Sequence, residues 1–215
     1  MSTARDEILG GIRRALGRGE LDAATRARID ARLHSPTPNL LPRVGGDVVD
    51  QFVSRARALG MTMARIERVD RAPAAVAAYI AERNLPPRIV AAATLRALPW
   101  PSALEVRVGP AGRDDLVSVT PCFAAVAETG SLVLVSGPES PTTLNFVPDD
   151  HIVILEARRI VRHQEEVWQR LRSELPALPR AVNLISGPSR TADVEQIVQL
   201  GVHGPRRVHV LLAEN

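Results

Sequence analysis

From residue 47 onward, helical segments alternate with short apolar runs, and this alternation narrows the possible folds more than any other feature of the chain. Runs at 61–66, 88–92, 105–108, 116–120, 131–135, 151–155, 182–185 and 208–212 have the length and apolar content of buried strands. Helices are expected at 47–59, where Val49, Phe52, Val53 and Ala56 share a face, and from Pro73 through PAAVAAYIAERN. Further helices are expected near 122–127, at 163–175 and at 192–200. Parallel neighbours require such crossovers, so the expected class is α/β, with a mixed, mainly parallel sheet layered with helices.

The start of the chain follows a different pattern. Ser2 or Thr3 can cap a helix with Asp6 and Glu7 in its first turn and Ile8, Ile12 and Leu16 at helical spacing, and a second short helix is expected over 22–33. The segment 34–46, HSPTPNLLPRVGG, holds three prolines and two glycines and reads as a linker. Two domains follow: an N-terminal helical arm and linker over 1–45, and an α/β domain over 46–215. The first nine residues lack the apolar stretch of a secretory signal and no run spans a bilayer, so a cytoplasmic protein without a membrane span is expected.

Composition removes whole chemistries. All 27 basic side chains are arginine, which excludes a Walker A lysine and Schiff-base catalysis. One cysteine, Cys122, cannot hold an iron–sulfur cluster or a four-cysteine zinc site, and its apolar context, PCFAAVAE, suits an inert thiol. Residues 1–71 carry 13 arginines against 9 acids and the remainder 14 against 15, a near balance that, with few aromatics, argues for a solvated surface and no nucleic-acid partner. No GxGxxG, GxSxG or HExxH spacing occurs; no cofactor and no tightly bound metal are expected.

Four segments carry polar groups suited to chemistry. Ser186 to Asp193, SGPSRTAD, lies between an expected strand and an expected helix, where α/β sheets bind anions; Ser189 and Thr191 offer hydroxyls and Arg190 a bidentate fork, the alternative being an ordinary helix cap. Glu128, Thr129 and Gly130 precede SLVLV, and Glu128 is a candidate base, nucleophile or positioning group, or else a plain turn residue. In PTTLNFVPDDH, Thr142, Thr143 and Asn145 are potentially convergent, while His151 is read as structural or as an acid–base group or ligand. Gly201 to Pro205, with His203, reads as a helix C-cap and turn.

ETGSLVL at 128–134, TLNFVPDDHIVIL at 143–155, GPSRTADVE at 187–195 and LGVHGPRRVHVLL at 200–212, in that order, resemble the LUD-domain family and within it the lactate utilization protein C (LutC/YkgG) group. RDEILGGIRRALG at the start is similar to that group as well. The resemblance implies a NagB/RpiA/CoA-transferase-like fold. It also implies a role with iron–sulfur partner proteins in oxidising L-lactate to pyruvate, the clusters residing in the partners. With it, Glu128 becomes the candidate catalytic residue, and Thr129, Gly130, Ser189, Arg190, Thr191 and Asp193 the candidate ligand-binding residues, lining one crevice in which Arg190 binds a small carboxylate. The alternatives are a catalytically silent docking or regulatory subunit that uses the basic arm, or a CoA-transferase-like acyl-transfer enzyme using Glu128.

Overall fold

The computed structural model describes residues 3–34, 40–43, 45–191 and 199–214. The chain divides into two compact units, Met1–Leu41 and Pro42–Asn215. In the first, α1 (Ala4–Ala15) begins at Thr3, whose hydroxyl accepts from the Asp6 amide while the Asp6 carboxylate accepts from the Thr3 amide, a reciprocal cap. Gly17, at φ 59°, follows its end. Asp22 accepts from the Thr25 amide at 2.7 Å at the start of α2 (Ala23–His34). No residue of α1 is buried, and no described helix is long and apolar enough to cross a membrane.

The second unit holds every expected strand. In chain order it contains α3 (Val48–Ala58), β1 (Thr62–Ile66), α4 (Ala72–Glu82), β2 (Arg88–Ala91), β3 (Glu105–Val108), β4 (Val117–Pro121), β5 (Ala124–Val126) and β6 (Ser131–Val135). There follow α5 (Thr143–Phe146), β7 (Asp150–Glu156), β8 (Ile160–Val161), α6 (Gln164–Glu174), β9 (Val182–Ile185), β10 (Arg190–Thr191), β11 (Gln199–Leu200) and β12 (Arg207–Ala213). Two main sheets form instead of one. Six strands pair in the order β1-β12-β7-β4-β2-β3, all parallel, and four pair in the order β8-β5-β6-β9, where β6 is antiparallel to both neighbours.

Strand alternation sorts the side chains into three apolar layers. Ile152 and Ile154 of β7 and Leu211 of β12 pack with Val76, Tyr79 and Ile80 of α4 on one face of the large sheet. Val153, Leu155, Val210 and Leu212 face the other way, onto Phe52 and Ala56 of α3 and onto Leu132 and Leu134 of the small sheet. Ala124, Val126 and Val133, on the far face of the small sheet, meet Val167 and Leu171 of α6.

Three expectations need correction. The segment 122–127 is not helical: Ala124–Val126 is β5, because its small side chains alternate between two cores and that burial overrides the helix preference of alanine. Thr143–Phe146 forms a turn of helix where none is expected. Gln199–Leu200 does not close a helix but pairs antiparallel with Arg190–Thr191, so Gly201 follows a strand; the rest of that expected helix, 192–198, lies outside the described residues.

Candidate functional site

The ETGS and SGPSR segments meet at the end of α3. Gly130, at φ 71°, turns the chain between β5 and β6, and a Cβ there would lie 2.8 Å from the Ala56 amide nitrogen and from Arg55 Cβ. Gly187, at φ 108°, approaches Leu59 so closely that a Cβ would sit 2.5 Å from its carbonyl oxygen. Only glycine fits both the dihedral angle and the gap. Hydroxyls join the two segments: Thr129 Oγ1 lies 2.8 Å from Ser131 Oγ, which lies 2.7 Å from Ser186 Oγ on the loop after β9.

That loop is not the expected exit of a parallel strand, since β9 is an antiparallel edge strand of the small sheet. Arg190 is exposed and donates from Nη2 to the Leu59 carbonyl at 3.2 Å, placing its charge at the carbonyl end of α3, where the helix dipole favours a cation. Ser186, Ser189 and Arg190 border a cleft of about 260 Å³ together with Asn145, Phe146 and His203. Thr191 is placed in β10, and Asp193 lies outside the described residues.

Glu128 belongs to a different cleft. Its carboxylate lies 2.9 Å from His163 Nδ1, a partly buried pair before α6, and the neighbouring cleft is lined by Pro42, Gln164, Glu165 and Trp168. The expected single crevice is therefore two: the hydroxyl chain carries Thr129 to the Ser186 side, while Glu128 turns towards His163. The sequence reading missed His163 as Glu128's partner, 35 positions away, a pairing that only the β5–β8 neighbour relation creates.

Asn145 beside the first cleft is 1% exposed, and among the described residues its Oδ1, His151 Nδ1 and Asn183 Nδ2 are buried without a hydrogen-bond partner. An orphaned buried acceptor costs about 1–3 kcal/mol, and native proteins hold few. Thr143 has another task, accepting from the Ala111 amide at 3.0 Å. His151 is fully buried, with Nε2 2.8 Å from Thr120 Oγ1, and burial pushes it down to about 3, so it stays neutral. Cys122 lies in apolar surroundings that push its thiol up to about 12.

A further polar cluster escaped the sequence reading. Asp150, fully buried at the start of β7, accepts two hydrogen bonds from Arg207 at the start of β12 and one from Tyr79 Oη at 2.7 Å. His209 stacks 4.5 Å from the Tyr79 ring, bonds Thr62 Oγ1 through Nδ1 and is pushed down to about 4 by burial first and the Arg83 charge second. Burial and the Asp150 carboxylate raise the Tyr79 hydroxyl. The Asp150 carboxylate is satisfied by Tyr79 and Arg207 within the cluster, which marks it as structural.

Residues 114–213 match the LUD domain family model. The chain is 36% identical over 103 residues to lactate utilization protein C of Exiguobacterium, covering 46% of this chain and 44% of that one. Over 102 residues it is 31% identical to lactate utilization protein C of Halalkalibacterium halodurans, covering 46% and 44%. Over 93 residues it is 34% identical to YkgG of Escherichia coli, described as uncharacterized, covering 42% and 40%. These matches span roughly two-fifths of the length of the curated relatives. A DUF162 family protein from Deinococcus radiodurans shares the fold with a TM-score of 0.60 at 21% identity, over 80% of this chain and 100% of that one, and the mixed architecture is consistent with the NagB/RpiA-like class. Residues 114–213 are thus similar to the LUD domain, and a little under half of the chain is similar to lactate utilization protein C and YkgG proteins.

Proposed function

We propose that this chain serves lactate utilization, as the names of its relatives say of them, and that it binds a short carboxylic acid, lactate or pyruvate, in the cleft at Ser189 and Arg190. One observation carries the reading: Asn145, Ser186, Ser189, Arg190 and His203 border one cleft lying wholly within the segment that matches the LUD domain. A guanidinium beside hydroxyls suits a single carboxylate, and about 260 Å³ is below the size of drug-sized ligand sites, so it suits a ligand of few heavy atoms. Thr129 and Gly130 support the cleft through Ser131 and Ser186. Oxidising lactate to pyruvate removes two electrons, and with one cysteine this chain leaves iron–sulfur chemistry to partner proteins. Glu128, held by His163, is the acid–base candidate of the second cleft.

Calorimetry with L-lactate and pyruvate tests the ligand. Saturable binding is expected for the wild type and a loss of about tenfold or more for Arg190→Gln, with thermal melting checked because Arg190 also caps α3. No binding by the wild type, or unchanged binding by the variant, overturns the reading. A docking role has its own support, since Ile8, Ile12 and Leu16 of the arm are 64%, 50% and 58% exposed.

A further inference from the structure

We propose that the N-terminal arm is a self-association surface, on which α1 of one copy lies antiparallel on α1 of a second copy of this chain. A helix this short is marginal in water by itself, because helices in proteins draw most of their stability from covering an apolar face. α1 has 12 residues, holds Gly10 and Gly11 in its interior and buries no side chain. Ile8, Ile12 and Leu16 form a stripe at helical spacing, with Leu9 at its edge, and all four are exposed. The second helix does not cover that stripe: a groove of about 720 Å³, lined by Ile12, Leu16 and Leu21, opens beside it, and Ile29 and Leu33 of α2 are exposed as well.

The charges choose the occupant. Asp6 and Glu7 lie in the first turn of α1, Arg13 and Arg14 in its last. An anionic lipid surface or a protein face of one sign would attract one end of the stripe and repel the other. A second α1 laid antiparallel matches both ends at once, whereas a parallel one sets acid on acid and arginine on arginine. Asp6 and Arg13, about two turns apart, run along one edge of the stripe, so in the antiparallel pair each Asp6 faces the other copy's Arg13. The reciprocal cap with Thr3 fixes the Asp6 carboxylate at the helix start. Exposed ion pairs add little affinity; they set the orientation, and the apolar stripe supplies the driving force. The contact is isologous, one patch meeting itself about a two-fold axis. Two twelve-residue helices from each copy offer a surface within the roughly 20–30 residues a side of a standard interface.

Sedimentation velocity of the whole chain from about 1 to 100 µM reads the assembly. The wild type is expected to pass from monomer to dimer across that range. Ile12→Glu is expected to weaken dimerisation about tenfold or more without altering the melting of the α/β unit, since position 12 is exposed in the single chain. Orientation is read by oxidative cross-linking of Arg5→Cys and Leu16→Cys chains, with the Cys122 thiol, pushed up to about 12, as an unreactive background. The two ends of α1 are about 16–18 Å apart, beyond the roughly 7 Å that a disulfide spans between Cα atoms. Antiparallel pairing therefore predicts a covalent dimer when the two variants are mixed and little from either alone. A wild type that stays monomeric throughout overturns the proposal and leaves the stripe to the chain's own body, a membrane or another protein. A dimer indifferent to Ile12→Glu, or cross-linking of each variant with itself and not across the mixture, overturns it too. Should Ile12→Glu fail to fold, the cross-links still decide.

Discussion

Arg207 grips Asp150 through two hydrogen bonds of 2.6 Å, from Nε to Oδ1 and from Nη2 to Oδ2, across the first register pair of β12 and β7. Asp150 is fully buried while the arginine is about half exposed, so one partner depends on the other for its charge to be tolerated. Arg207→Leu leaves the carboxylate with Tyr79 alone and is expected to lower stability by about 3 kcal/mol in urea unfolding. Arg207→Leu combined with Asp150→Leu is expected to cost less than the sum of the single changes. Strict additivity would show that the pair is not coupled.

Two buried histidines set a pH dependence. Burial lowers His151 to about 3 and, with Arg83 adding to it, His209 to about 4, against an ordinary value of 6.5. Between 6.5 and those values the unfolded chain binds protons that the native state refuses, so stability falls as pH drops from about 6.5, by up to about 1.4 kcal/mol per pH unit for each histidine. The His209 contribution ends near pH 4 and the His151 contribution near pH 3. Urea midpoints measured from pH 7.5 to 4.5 are expected to decline, with a shallower decline in His209→Gln. A flat wild-type profile contradicts the burial assigned to both rings.

Gly187→Ala is expected to cost about 2 kcal/mol or more, because the added methyl meets the Leu59 carbonyl at 2.5 Å in a backbone at φ 108°. A change of a few tenths would mean that α3 and the loop part easily.

Cys122 is expected to resist alkylation in the native protein, since a thiol pushed up to about 12 is scarcely ionised at neutral pH. Iodoacetamide at pH 7.5 should label it far more slowly in the folded protein than in the unfolded chain. Rapid labelling of folded protein would place the sulfur in a more polar setting.

How far the fold could be read ahead of the structure follows from where each signal resides. The core strands, such as HIVIL in β7 and VHVLL in β12, announce themselves through contiguous apolar residues. The split into two sheets does not, because the antiparallel β6–β9 pairing joins residues about fifty positions apart and leaves no local trace. Ala124 to Val126 misleads because alanine prefers helices where nothing packs on it, and here two cores do. In the candidate site, Ser189 and Arg190 were visible as residue types on a glycine-bearing loop. Asn145 was visible only as one polar residue among several; its standing comes from the burial of Oδ1, which α5 imposes and sequence spacing cannot express.

That burial bears directly on stability. Removing an unpartnered acceptor from the interior removes a desolvation cost, whereas removing a satisfied one exposes its donor to the same cost. Asn145→Leu is therefore expected to leave the ligand-free protein as stable as the wild type or more so, within the limits of fitting a side chain of similar size. Thermal melts of both proteins check it. A variant melting several degrees below the wild type in the absence of ligand would show that the amide is bonded inside the fold, and that Asn145 holds the structure together.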